Sequence, residues 1–253
     1  MVVNKMHVTA DSEIGKTRNS NEDYIGYFKN KQGALIAILA DGVGGNVGGD
    51  VAASMTVDFI GESFQNYHIS SINETKLWLS NIIKQANENI LSYGKTNEKF
   101  SKMATTVVIA IFFGNQYLLT HLGDSRCYLY RNNTLQQLTE DHSYVNYLID
   151  KGKIKSSDDV DANMRNVIVK GLGVSEDADV DISNNALLPD DVVMICSDGL
   201  TKMVDDTNIE NVLQKNISDD SKVNALMDLA NENGGKDNIS VLIINNRLGS
   251  DHL

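Results

Sequence analysis

Four aspartates stand where apolar runs break into turns: Asp41, Asp124, Asp198 and Asp237. Leu35-Ile36-Ala37-Ile38-Leu39-Ala40 drives into Asp41-Gly42-Val43-Gly44-Gly45, and Val192-Val193-Met194-Ile195-Cys196 passes through Ser197 into Asp198-Gly199. Asp124 lies in Gly123-Asp124-Ser125, and Asp237 follows Gly235-Lys236. A run this apolar predicts a strand buried on both faces, so the aspartate after it sits where the chain leaves the core. One such aspartate caps its own turn as readily as it does chemistry. Recurrence changes the weighing, because carboxylates gathered at one rim repel and hold one another's protons unless a cation neutralises them. All-oxygen ligation selects hard ions such as Mg²⁺ or Mn²⁺. Spacing alone leaves open whether each aspartate only closes its turn.

Other chemistries fail on spacing. The glycines at 42, 44, 45, 48 and 49 invite a nucleotide loop, but the dinucleotide fingerprint needs glycine where Val47 stands. A P-loop needs Lys-Ser/Thr where Asp50-Val51 stand. Cysteine-phosphatase chemistry needs an arginine six positions after the cysteine, and Cys127 and Cys196 have Asn133 and Lys202 there. Both cysteines lie in apolar runs and read as buried thiols. His142 sits between Asp141 and Ser143, and three adjacent residues cannot form a catalytic triad, so a turn or cap is expected. His121 reads as a satisfied strand histidine.

These residues need elements to hold them. Strands are expected over 6–12, 24–28, 34–40, 105–113, 117–122, 126–131, 179–187, 192–196 and 239–245. The tight turns at Asn115-Gln116 and Gly123-Asp124-Ser125 predict an antiparallel meander for the middle three. Ala53, Val57, Ile60 and Phe64 recur at helical spacing, and so do Leu79, Ile82, Ile83, Ala86 and Ile90, giving helices over about 49–67 and 73–93. Trp78 flanks the second stripe and reads as core. Further helices are expected at 143–151, 206–215 and 219–233. Residues 151–166 are polar and aperiodic, which predicts a mobile surface segment. The sum is an α+β four-layer sandwich, two antiparallel β-sheets flanked by pairs of antiparallel helices.

The chain has 253 residues, 42% hydrophobic, enough for a substantial core. No Pro/Gly/Ser-rich linker, repeat or low-complexity tract divides it, so a single domain over 1–253 is expected. The net charge of −12 argues against nucleic acid as a partner. No run approaches the ~20 apolar residues of a membrane span, and no signal peptide is evident, so no membrane insertion and a cytoplasmic location are expected.

Eight stretches in order then resemble one family. They are Gly15-x-x-Arg18-x-x-Asn21-Glu22-Asp23, Ala40-Asp41-Gly42-Val43-Gly44-Gly45, Met103-Ala104-Thr105-Thr106 and His121-x-Gly123-Asp124-Ser125-Arg126. Thr139-x-Asp141-His142-Ser143, Arg165-Asn166 with Gly171-Leu172-Gly173, Ser197-Asp198-Gly199-Leu200 and Gly234-Gly235-Lys236-Asp237-Asn238 complete the set. The chain resembles a bacterial type 2C, metal-dependent (PPM family) protein serine/threonine phosphatase. That resemblance implies the same αββα fold, with a flap over about 143–173. It implies hydrolysis of phosphoserine and phosphothreonine on proteins by a water or hydroxide bridging two Mn²⁺ or Mg²⁺ ions. Asp41 would bridge the ions, the Gly42 carbonyl would bind one, and Asp198 and Asp237 the other. Asp124 and Asp198 would take a third, looser ion, with Asn166 of the flap near it. Glu22 and Asp23 would hold metal-bound waters. Arg18 would grip the substrate phosphate, the competing reading being a surface guanidinium paired with Glu22 or Asp23. Val43 stands where eukaryotic relatives often carry a proposed acid histidine, Ala104 where glycine is usual, and Lys170 where arginine is common. The expected setting is signalling by a monomer that opposes a bacterial serine/threonine kinase. The alternative is a pseudophosphatase that only binds phosphoproteins.

Overall fold

The structure is a computed structural model; it describes residues 5–43, 47–156, 159–161, 164 and 167–247. One sheet has the order β1-β10-β9-β6-β7, formed by β1 (Lys5–Glu13), β10 (Ile239–Arg247), β9 (Val192–Cys196), β6 (Arg126–Arg131) and β7 (Thr134–Gln137). The other has the order β2-β3-β4-β5-β8, formed by β2 (Asp23–Lys29), β3 (Leu35–Asp41), β4 (Val107–Phe113), β5 (Gln116–Leu122) and β8 (Ser183–Ala186). All neighbouring strands run antiparallel.

Alternation along single strands builds three cores. In β3, Ile36, Ile38 and Ala40 face outward to α1 (Gly49–Asn66) and α2 (Ile72–Thr96), while Leu35, Ala37 and Leu39 face the other sheet. In β9, Val193 and Ile195 join that inter-sheet core, while Val192, Met194 and Cys196 pack on α5 (Asp206–Gln214) and α6 (Asp219–Glu232). Each strand is covered on both faces, which explains why these runs carry no polar alternation. Every buried Ile or Leu contributes roughly 1.5–3 kcal/mol, so three such cores can carry an unfavourable cluster of charges at one edge. Cys127 and Cys196 are buried free thiols, and Trp78 packs at the margin of the outer core, stacked on Tyr67.

The helices begin where capping chemistry allows. Ser71 accepts from the Glu74 N–H at the start of α2, and Ser218 from the Ser221 N–H at the start of α6. Among the described residues no helix is long and apolar enough to cross a membrane.

Three sequence expectations change. The middle strands are not one meander: β4 and β5 pair, but β6 crosses to the other sheet and lies between β9 and β7. The strand expected over 179–187 contracts to β8. Strand β7 adds a hairpin whose turn residues Asn132 and Asn133 have φ of 52° and 59°. Two consecutive left-handed asparagines are the signature of a tight hairpin turn, so this signal was available.

Candidate active site

The edge where both sheets stop gathers the carboxylates. Asp23 and Asp41 are direct cross-strand partners in the β2–β3 register, so their side chains share one face. The backbone of Asp41 is clamped from β4's approach. Its N–H donates to Thr106 Oγ1 at 3.1 Å, and its carbonyl accepts from the Thr106 N–H at 2.8 Å and from Thr105 Oγ1 at 2.9 Å. Thr105 also exchanges backbone bonds with Leu172, so the far end of the 143–173 segment is tied directly behind Asp41. The near end is tied too: Tyr144 N–H bonds the Val167 carbonyl at 2.8 Å, and α3 (Tyr144–Asp150) starts on a Ser143 cap. Gly42 meets Gly49 at the head of α1 so closely that an added Cβ would stand 2.5 Å from the Gly49 carbonyl carbon.

Asp198 opens α4 (Asp198–Thr201) directly after β9, and Asp237 precedes β10, the strand beside it. Asn238 stitches this corner together. Its side chain accepts from the Glu22 N–H at 2.9 Å and donates to the carbonyls of Ile14 and Ser20, each at 2.9 Å. Ser240 donates to Asp23 Oδ2 at 2.7 Å, and its own N–H reaches Ser197 Oγ at 2.9 Å. Asp124 lies in the crossing from β5 to β6, where Ser125 Oγ meets Thr106 Oγ at 2.8 Å. The crossing that breaks the meander therefore carries Asp124 to the rim.

The electrostatics are those of crowded anions. Burial, reinforced by Asp23, Asp198, Asp124 and Asp237, holds the Asp41 carboxyl well above the usual range. Burial pushes Asp23 up to about 7, with Asp198 and Asp237 adding to the rise against the Ser240 and Ser197 hydroxyls. Asp124 rises to about 7 through burial and Asp198, opposed by Lys202. Burial also raises Asp198, again against Lys202, and raises Glu22, where Asp50 adds to it. Among the described residues Glu22 Oε2 and Asp124 Oδ1, both buried, have no hydrogen-bond partner. Among the described residues no three carboxylate, imidazole or thiolate groups close on one point. Instead Lys202 Nζ lies on Asp198 Oδ2, and Arg18 Nη2 lies on Asp237 Oδ2 at 2.8 Å. Five carboxylates in one another's field, two unpaired buried oxygens and a wholly oxygen donor set fit a hard divalent cation.

The structure thus brings Asp23, Asp41, Asp124, Asp198 and Asp237 into one field, with Glu22 and Arg18 at its margin. Arg18 pairs with neither Glu22 nor Asp23, correcting that reading: its partner is Asp237, because the 15–22 loop folds against the Asp237 loop through Asn238. Asn166, with Gly44 and Gly45, lies outside the described residues. His142 accepts from the Gly123 N–H at 3.2 Å and stacks on His121 at 4.5 Å, and His121 Nε2 lies 2.7 Å from the Glu140 carbonyl oxygen. Sequence reasoning missed Ser12, Ser197, Ser240 and Lys202. Ser12 and Ser240 had no local signal; Ser197 stands next to Asp198, and Lys202 lies four residues past it.

Residues 15–236 match the protein phosphatase 2C family, and the chain belongs to it. It is 37% identical over 244 residues to the serine/threonine phosphatase stp of Listeria welshimeri, covering 96% of this chain and 97% of that one. It superposes on the S. agalactiae serine/threonine phosphatase with a TM-score of 0.90 at 32% identity, covering 95% and 99% of the two chains. A third likeness is the catalytic domain of the serine threonine protein phosphatase PstP in complex with 2 manganese ions, with a TM-score of 0.80 and 26% identity over 95% and 97%.

Proposed function

We propose that this chain is a metal-dependent protein serine/threonine phosphatase. The observation that carries the reading is the rim itself: five aspartates lie in one another's field where strands of both sheets end, and among the described residues two buried carboxyl oxygens there have no hydrogen-bond partner. The manganese-bound relative and the phosphatases named above support it. Asp41 would bridge two ions, Gly42 would lend its carbonyl to one, Asp198 and Asp237 would hold the other, and Glu22 and Asp23 would orient the water around them. Bound divalent ions supply a nucleophile at neutral pH by lowering the pKa of water, and positive charge for a phosphoryl group.

The chain's own residues do the rest. The threonine clamp fixes the Asp41 backbone, so its carboxylate is held at one place rather than searching for it. Asn238 keeps the Glu22 and Asp237 segments in register. Arg18, 38% exposed, spends one nitrogen on Asp237 and keeps further donors toward solvent, suited to a phosphate monoester. Glu22 and Asp23, carboxylates at the rim, would accept hydrogen bonds from water held there. We read residues 1–253 as one such domain, monomeric and cytoplasmic, with 143–173 as its flap, acting on phosphoproteins made by a serine/threonine kinase. Turnover of p-nitrophenyl phosphate and of a phosphothreonine peptide, with Mn²⁺ and after chelation, tests the reading. Turnover that survives chelation sinks the metal mechanism; binding of the peptide without turnover favours the pseudophosphatase.

A further inference from the structure

Lys202 is a cation placed inside the acidic rim. It follows α4 directly, one turn after Asp198, and its N–H bonds the Asp198 carbonyl at 2.8 Å. The same turn lays its side chain back along the helix, and Nζ contacts Asp198 Oδ2. The side chains are 33% and 13% exposed, so this is a half-sheltered pair rather than a surface one. Asp198 is not its only anion. Asp124 and Asp41 also lie in its field. Among the described residues Asp124 Oδ1 has no hydrogen-bond partner, and the field of Lys202 acts on the Asp124 carboxyl.

We infer that the Lys202 ammonium is a built-in cation occupying the role, beside Asp124 and Asp198, that the family resemblance gives to a third divalent ion. The inference rests on the two-ion reading proposed above. An ammonium cannot ligate a metal. A third ion would therefore have to push Lys202 off Asp198 and accept the repulsion of a fixed positive charge nearby. The tethered charge is always present at the site, whereas a loosely bound ion depends on its concentration. The consequence is a chain that holds two ions and resists a third, with the aspartates at 124 and 198 balanced from within.

Counting bound Mn²⁺ by equilibrium dialysis and mass spectrometry, on the wild-type chain, Lys202→Asp and Lys202→Met, tests this. At about 1 mM free Mn²⁺ the wild type should hold about two ions and Lys202→Asp about three, since the new carboxylate both removes the competitor and adds a ligand. In chelator, Lys202→Met should melt below the wild type, because it keeps the stem's packing and leaves Asp198 unbalanced. A wild type that already holds three ions overturns the inference and leaves the two-ion reading standing. Lys202→Asp remaining at two does the same, as does Lys202→Met melting with the wild type. No bound Mn²⁺ in any form overturns the two-ion reading, and this inference with it.

Discussion

Two groups of sheltered aspartates in this molecule are treated oppositely. At the strand starts of β9 and the end of β6, Asp191 is 1% exposed and accepts both Arg131 Nε at 2.8 Å and Arg131 Nη2 at 2.6 Å, with the Leu188 N–H at 2.6 Å as well. Arg126 grips Asp141 in the same two-pronged way, at 2.9 and 2.7 Å. At the rim, Asp41 has no guanidinium partner among the described residues, and its neighbours are four more carboxylates. A buried carboxylate with a fork of donors is finished; it holds the fold and asks for nothing further. Buried carboxylates facing one another are unfinished, and the fold carries their cost only because three apolar cores outweigh it. The difference separates paired aspartates from mutually repelling ones without reference to any motif.

The sharpest way to break that comparison is to neutralise one aspartate of each kind. Asp41→Asn should lower phosphatase turnover about 10³-fold, the scale of removing a group that organises charge in the transition state. In chelator the same variant should melt above the wild type, because it removes one of the mutually repelling charges. Asp191→Asn should leave turnover per folded molecule unchanged and cost about 3 kcal/mol of stability, the low end for a broken buried pair because Arg131 is 30% exposed. Chemical denaturation and steady-state assays on both variants check this. If both substitutions shift stability in the same direction, the division between finished and unfinished carboxylates fails.

A pH series sharpens the comparison further. Asp23 and Asp124 are held at about 7 in the folded chain, far above the usual carboxylate range, by burial first and by neighbouring aspartates second. Between those limits the folded state binds more protons than the unfolded one, so stability falls as pH rises through 7. His142, pushed down to about 4 by burial, His121 and Lys170, acts oppositely but only at acid pH, where the unfolded chain gains its proton. In chelator the melting temperature should therefore drop between about pH 5 and 8, and added Mn²⁺ should restore most at the upper end. A flat profile in calorimetry, or a Mn²⁺ effect that shrinks as pH rises, contradicts the carboxylate cluster.

Much of this was legible from local sequence. The unbroken apolar runs before Asp41 and Asp198 announced strands covered on both faces, because helices lie outside each sheet. The helical stripes of α1 and α2 gave their inward faces directly. What stayed hidden depended on pairing across long separations. Gly123-Asp124-Ser125 has the residues of a hairpin turn, yet Arg126 and Cys127 pair with Cys196 and Ile195, not with β5. Tertiary register chose the sheet, and no local propensity encodes that choice. Ser12 and Ser240 meet at 2.7 Å across 228 residues of sequence, so neither could be read as part of the Asp23 network. Lys202 was set aside as merely not the arginine of a cysteine phosphatase; only its contact with Asp198 gives it a role.

Arg18 stands between the two classes and gives the smallest expected effect. It forms one bond with Asp237, at 2.8 Å, where Arg131 and Arg126 each form two with their partners. A single, partly exposed contact contributes little to stability, about 1 kcal/mol at most. Arg18→Ala should therefore leave the melting temperature nearly unchanged. If its remaining donors hold the substrate phosphate as proposed, losing a charged hydrogen bond to substrate should raise KM about tenfold with a smaller change in kcat. Arg18→Lys keeps the charge without the fork and should fall between the two. Steady-state kinetics on a phosphothreonine peptide decide the matter. An unchanged KM, with a fall in stability instead, would move Arg18 into the class of Arg131 and take it out of the phosphate-binding role.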